Sequence, residues 1–267
     1  MNIASLNGLT FCTFSLFSNF PELFAVVSTR DAENDGCEDC VRGEMKYRSE
    51  AAVYETLGIS SADVSRVHQI HGNAVAYVQS PGFYGNGDGL ITDKKNVLLQ
   101  VVTADCLPVF FYDSKKKAIG LIHAGWRGLR RNIIITVVQE MQKQFKTEPR
   151  ELYAAVGPYI KTCCYTVRED VSNQFDKEFL YPAQNGTYRL DLGAAARKQF
   201  NEAGIPEKQI EIAEECTFCR KDLFHSARRD KEITGKNVSL FALHCPAYAG
   251  WLPPYILKCM TIYYNAQ

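Results

Sequence analysis

The stretch Asn96–Phe145, NVLLQVVTADCLPVFFYDSKKKAIGLIHAGWRGLRRNIIITVVQEMQKQF, decides the fold. Three runs within it, Asn96–Thr103, Pro108–Tyr112 and Ala118–His123, are short, rich in β-branched and aromatic residues, and bounded by Asp, Ser, Lys or Gly. That is the length and composition of strands. After His123 the glycine-bracketed AGWRG reads as a turn. From Leu129 to Phe145 the residues Ile133, Val137, Val138, Met141 and Phe145 then recur on one helical face. Strands followed by an amphipathic helix predict an α/β fold, a layered sandwich with a mixed β-sheet.

Outward from this core, Leu152–Val156 continues the strand pattern, and helices are expected over Glu169–Phe179 and Leu192–Ala203. Asp191 is placed to cap the second helix and Gly204 to stop it. The mildly apolar N-terminus lacks a basic leader and reads as an opening strand or hairpin. Asp31–Glu44 is the most polar segment and reads as a surface loop. With no internal repeat or linker, residues 1–267 are expected to form one domain, with 243–267 a proline-containing tail of no clear period.

Composition narrows the function. Lys plus Arg and Asp plus Glu are each 30, so the formal net charge is zero and no global field favours nucleic acid or an anionic membrane. An anionic substrate must be held by locally placed arginines. No run approaches the roughly 20 apolar residues that span a bilayer as a helix. A cytoplasmic protein with reduced thiols is expected, and Cys12, Cys163, Cys164, Cys245 and Cys259 read as small buried hydrophobes.

Three segments set a soft or borderline ligand beside glycine or at a strand end: HQIHGNAV around His71, TADCLPV around Cys106, and IHAGWRG around His123. Two imidazoles and a thiolate suit zinc and leave its fourth position open, as a catalytic site requires. His68 competes with His71 but lacks the glycine that follows His71. Alternatively, Cys106 and His123 form a nucleophile and base with Asp105 as orienter, which needs no metal. The pairs Cys37/Cys40 and Cys216/Cys219 invite a structural zinc, although their separation is unlike a zinc ribbon. Arg127 in HAGWRG and Arg228 and Arg229 in FHSARRD offer guanidinium groups for phosphate, which Arg binds bidentately. GDGL around Asp88 and VGPYI around Tyr159 read as tight turns first and as pocket loops second.

Taken in order, QIHGNAV, GDGLITD, VTADCLPVFFYD, GLIHAGWRG, AAVGPYI, CTFC and HSARRD resemble the YfiH-like laccase-domain family of FAMIN-related purine nucleoside phosphorylases, formerly called multicopper polyphenol oxidases. The resemblance covers roughly residues 64–240. It implies an α/β sandwich, a zinc held by His71, Cys106 and His123, and phosphorolysis of adenosine, inosine and S-methyl-5′-thioadenosine with adenosine deaminase activity beside it. Purine nucleosides and inorganic phosphate are then the partners. Arg30 matches an arginine of the family's early segment and joins Arg127, Arg228 and Arg229 as a phosphate-binding residue, but the glycine pair after it is missing, and His225 and Ala227 replace a common aromatic pair.

Deamination would need a general base. His71 is followed by Gly72 and Asn73, so the usual deaminase pattern of His-x-Glu is missing and Asp105 is left to fill the role. Copper would accept the same ligands, but five histidines are few for a laccase with several coppers. The non-catalytic reading, which the resemblance also implies, is a zinc that only braces the fold in a partner-binding or peptidoglycan-editing protein.

Overall fold

A computed structural model describes residues 1–30, 48–95, 97–231 and 235–243. Asp31–Glu44 with Cys37 and Cys40, and the tail from 244 on with Cys245 and Cys259, therefore lie outside the described residues.

One sheet contains β1 (Asn2–Leu6), β2 (Leu9–Thr13), β3 (Leu23–Ser28), β4 (Val64–His68), β6 (Gly82–Asn86), β8 (Leu98–Thr103) and β16 (Asn237–Leu243), in the spatial order β1-β2-β3-β16-β8-β4-β6. The expected opening hairpin is β1–β2, turned at Asn7 and Gly8, both with positive φ. That is the two-residue turn an Asn-Gly pair favours. The second sheet contains β5 (Val75–Tyr77), β7 (Gly89–Thr92), β9 (Leu107–Asp113), β10 (Ala118–Ala124), β11 (Leu152–Val156) and β15 (Ile210–Ile212), in the order β15-β11-β9-β10-β7-β5. A small third sheet joins β12 (Thr166–Val167), β14 (Tyr188–Leu190) and β13 (Leu180–Pro182). Both large sheets mix parallel and antiparallel pairs.

Alternation along the strands explains the layering. Phe110 and Tyr112 of β9 and Ile119 and Leu121 of β10 face the first sheet, where Val27, Leu99, Val101 and Phe241 meet them in one buried cluster. Their neighbours Val109, Phe111, Ala118 and Ile122 point the other way. There they pack under α3 (Ile133–Phe145) through Ile133, Ile134, Val137, Val138 and Met141, and under α5 (Leu192–Glu202) through Phe200. The first sheet's outer face is covered by α1 (Arg48–Leu57), whose Val53, Tyr54 and Leu57 bury against Val26, Leu98 and Leu240. The result is a four-layer α/β/β/α sandwich, the layered α/β architecture the sequence predicts. No helix among the described residues is long and apolar enough to cross a membrane.

Two of the predicted elements need correction and a third stands. AGWRG is not only a turn: α2 (Trp126–Arg130) begins within it, and the chain breaks at Asn132, with φ +57, before α3 starts. Asn accepts that left-handed conformation more readily than most residues. The helix expected over Glu169–Phe179 is only α4 (Glu169–Ser172), because Ser172 and Asn173 are poor helix formers and the chain then turns to bury Phe179. The helix expected over Leu192–Ala203 is α5, where the Asp191 carboxylate accepts the Ala194 N–H and Gly204 turns the chain out with φ +85.

Candidate active site and metal centre

Antiparallel pairing of β9 and β10 sets His123 opposite Pro108 and Ala124 opposite Leu107. Cys106, the residue before β9, therefore emerges beside the end of β10 that carries His123. On the other side of β10, Ile122 faces Gly89, which starts β7, so Asp88 arrives next to His123, whose N–H donates to the Asp88 carbonyl at 2.8 Å. β5 runs parallel to β7 with Val75 opposite Gly89, which brings the loop carrying His71 to the same end of the sheet. Residues 35 and 17 positions apart in sequence thus meet because three neighbouring strands start or stop at one edge.

The ligand atoms of His71, Cys106 and His123 all lie within 4.8 Å of one another. The two imidazole rings meet edge to face, 4.7 Å apart. His123 is buried, Cys106 half-buried and His71 exposed, so the trio opens to solvent on the His71 side. His68 is exposed at the end of β4 and is not in the trio.

Asp88 is fully buried and organises the cluster. One carboxylate oxygen accepts the His71 N–H at 2.9 Å and lies 2.8 Å from His123 Nδ1; the other accepts the Gly72 N–H at 2.6 Å and the Ile70 N–H at 3.3 Å. Burial opposes its ionisation, but the His123 imidazole and the Gly72 and His71 N–H groups hold its carboxyl below the usual range. These bonds hold His71 at φ +57, in the left-handed region, and turn the His123 Nε2 toward Cys106. A carboxylate behind a histidine is the usual support for a metal-bound imidazole. The donor set, its spacing and this support together fit a zinc ion.

Gly125 completes the cradle, because a Cβ there would lie 3.0 Å from Cys106 Sγ and 3.2 Å from His71 Cδ2. Electrostatics draw the thiol and imidazole together. Burial alone would raise the Cys106 thiol, but the His123 and His71 imidazoles bring it down to about 6. Burial alone would likewise lower His123, whereas the Cys106 thiolate and Asp88 push it up to about 9. Both effects favour a thiolate beside an imidazolium over the neutral pair.

Asp105 is not the orienting carboxylate. Its oxygens accept Thr217 Oγ1 at 2.6 Å, Ser226 Oγ at 3.0 Å and the Arg228 N–H at 2.7 Å, while Asp88 holds His123. With φ +87 Asp105 pins its own strained loop and so aims Cys106 from behind. The arginines differ from one another. All five Arg229 N–H groups are committed, to Asp230 and to the carbonyls of Thr217, Phe218 and Phe224, so Arg229 has none for phosphate. Arg30 lies 3.4 Å from Asp230. Arg127 and Arg228 are exposed and stack on Trp126 and Tyr165, with the guanidinium 4.3 Å and 5.1 Å from the ring centres.

Trp126 and Tyr165 were not legible as site residues, and Asp88 was legible only through a turn whose second reading is a pocket loop. GDGL suggests a turn, and nothing in the sequence ties it to His123; the aromatics resemble any partly buried ring. Burial raises the Tyr165 phenol to about 12, and it also feels Cys106, Arg228, Asp105 and Arg127, so it stands among the candidate residues. A cleft of about 490 Å³ lined by Leu129, Asn132, Phe175, Ala195 and Glu202 contains none of them, so concavity alone would misplace the site.

Residues 44–244 match the family model for multi-copper polyphenol oxidoreductase laccase, and the chain belongs to that family. It is 40% identical over 157 residues to the purine nucleoside phosphorylase YlmD of Geobacillus stearothermophilus, an alignment covering 56% of this chain and 57% of that protein. With comparable relatives from Bacillus subtilis and Bacteroides thetaiotaomicron the coverage is 58% and 61%, so the chain spans under two thirds of the length of these curated relatives. Among solved structures, YlmD from Geobacillus stearothermophilus superposes with a TM-score of 0.79 at 28% identity, covering 90% of this chain and 98% of that one. YfiH from Bacillus licheniformis gives 0.77 at 26%, covering 88% and 96%.

Proposed function

We propose that the protein is a zinc-dependent purine nucleoside phosphorylase acting on adenosine, inosine and S-methyl-5′-thioadenosine, with adenosine deaminase activity. The observation that carries this reading is the open His71, Cys106 and His123 trio backed by Asp88, in a chain similar to proteins named purine nucleoside phosphorylase. The three residues would hold zinc, which would supply a Lewis-acidic centre with one position open to substrate or water.

In phosphorolysis a phosphate oxygen bonds to C1′ of the ribose as the bond to the purine nitrogen breaks, and the departing base takes up a proton. Positive charge develops on the sugar. Arg127 and Arg228, exposed beside the trio, would hold phosphate by bidentate hydrogen bonds, with Arg30 further out. Trp126 and Tyr165 offer ring faces on which a purine can lie, and their stacked arginines would fix phosphate relative to the base. Asp105 acts as a positioning residue for the Cys106 loop and Arg228, and Arg229 holds the loop over Thr217 and Phe218.

The test is release of free base from adenosine, inosine and S-methyl-5′-thioadenosine, with and without phosphate and with and without oxygen, alongside metal analysis of the same protein. Phosphate-dependent release that survives anaerobiosis is expected, with ammonia formed from adenosine. The family description makes oxidation the second reading; turnover that needs oxygen and copper but not phosphate would establish it. Activity in fully chelated protein, abolished by thiol alkylation, would point to a cysteine hydrolase instead.

A further inference from the structure

Four cysteines come together away from the trio. Cys163 and Cys164, expected to be buried hydrophobes, are exposed and half-buried, and they face Cys216 and Cys219 of the CTFC segment rather than standing alone. We propose that Cys163, Cys164, Cys216 and Cys219 form a second, tetrathiolate site that binds one structural zinc ion.

The geometry carries this. All four sulfurs lie within 4.8 Å of one another, with Cys219 3.3 Å from Cys164 and 3.7 Å from Cys163. Zinc–sulfur bonds of about 2.3 Å in a tetrahedron place the sulfurs about 3.8 Å apart, so small shifts suffice to close the shell. The C-x2-C spacing of Cys216 and Cys219 is a common half of such a site. Its turn is tied to the segment that carries the other pair, because Cys216 Sγ accepts the Lys161 N–H at 3.4 Å. On binding, each thiol gives up its proton to solvent and its sulfur bonds to the ion; no oxidant is needed.

The site lies where two loops meet. Cys163 and Cys164 sit in the turn before β12, closed by Cys164 and Tyr165 N–H bonds to the Lys161 carbonyl. Cys216 and Cys219 follow β15, and one isolated bridge between Tyr159 and Cys216 ties the two segments. Both loops lead to the active site: Tyr165 adjoins Cys164, Thr217 donates to Asp105, and the Thr217 and Phe218 carbonyls hold Arg229. A zinc here would brace the wall that aims Cys106 and presents Arg228. The pairing also corrects the structural zinc first read from CTFC, since the partners of Cys216 and Cys219 are Cys163 and Cys164.

The experiment is metal analysis of the full chain and its variants, with cobalt substitution as a spectroscopic reading. Wild type is expected to hold two metals per chain, Cys106→Ala one, Cys163→Ser/Cys219→Ser one, and the triple variant none. In Cys106→Ala the cobalt form should keep the intense thiolate-to-cobalt bands of a four-sulfur site. If the double variant fails to fold, the wild-type protein still decides: the four cysteines should resist alkylation until a chelator is added. A Cys106→Ala protein that holds no metal, or recovery of a disulfide among these four cysteines, overturns the proposal. A wild type that holds one metal, kept in Cys106→Ala and lost in the double variant, would count against the proposed active site and leave this one standing.

Discussion

Replacing Asp88 with Asn removes one charge and almost no volume, and should dismantle the trio. The carboxylate is fully buried and accepts from three backbone N–H groups and from His123. An amide has one oxygen, so whichever way it turns, its NH₂ faces two of these groups. If it faces the loop, the Gly72 and Ile70 N–H groups lose their acceptor, at about 1–3 kcal/mol each when buried. If it faces His123, the imidazole proton moves to Nε2, the atom turned toward Cys106, and that nitrogen can no longer ligate. The expected result is a stability loss on the order of 2–5 kcal/mol and metal affinity about 10- to 100-fold weaker. Competition with a chromophoric chelator and urea denaturation measure the two. Asp105→Asn is the control: it should lower stability through Thr217, Ser226 and Arg228 but change metal affinity less. An Asp88→Asn protein that binds metal like wild type, or a larger affinity loss in Asp105→Asn, would refute the roles assigned to the two aspartates.

Gly125→Ala needs no unusual backbone angle, since φ is −77, but its methyl would press on Cys106 and His71; weaker metal binding with a near-wild-type melting point is expected, and unchanged affinity would show that the cradle has slack. Arg228→Ala should raise KM for phosphate with little loss of stability, whereas Arg229→Ala should cost roughly 2–5 kcal/mol of stability by leaving the Phe218 and Phe224 carbonyls without this donor and Asp230 without its bidentate partner; initial rates over a phosphate series and denaturant midpoints separate them, and the reverse pattern would exchange their roles. Cys106→Ala should abolish base release and still unfold cooperatively; a variant that cannot fold would mean the first metal is structural. His225 is buried, and burial together with the Arg30 and Arg229 charges holds its imidazole down to about 4. The unfolded chain takes up a proton below about 6.5 that the folded protein refuses until near 4, so this residue leaves stability intact above pH 6.5 and removes about 3 kcal/mol as pH falls between those values. Urea midpoints across that range should fall more steeply for wild type than for His225→Gln, and equal slopes would contradict the assignment.

Local pattern was enough to read strands over β8, β9, β10 and β11, the helix α5 with its Asp191 cap, and the layered α/β class, because periodicity and capping depend on residues a few positions apart. His71, Cys106 and His123 could be nominated from their glycine and strand-end settings. The tertiary structure decided what those residues share. Register alone sets Cys106 beside His123 and delivers Asp88 behind it, and register is a property of paired strands that neither strand carries by itself. The break at Asn132 and the early end of α4 followed from where the chain had to turn to bury its next apolar residue, against a local pattern that favoured continuing. Which carboxylate orients the histidine, which arginine is already spent on carbonyls, and which four cysteines meet depend on contacts such as Asp88 with His123, Arg229 with Thr217 and Cys163 with Cys219, which are 35, 12 and 56 positions apart. A lone sequence lists donors and acceptors without their partners; folding assigns the partners, and with them the chemistry.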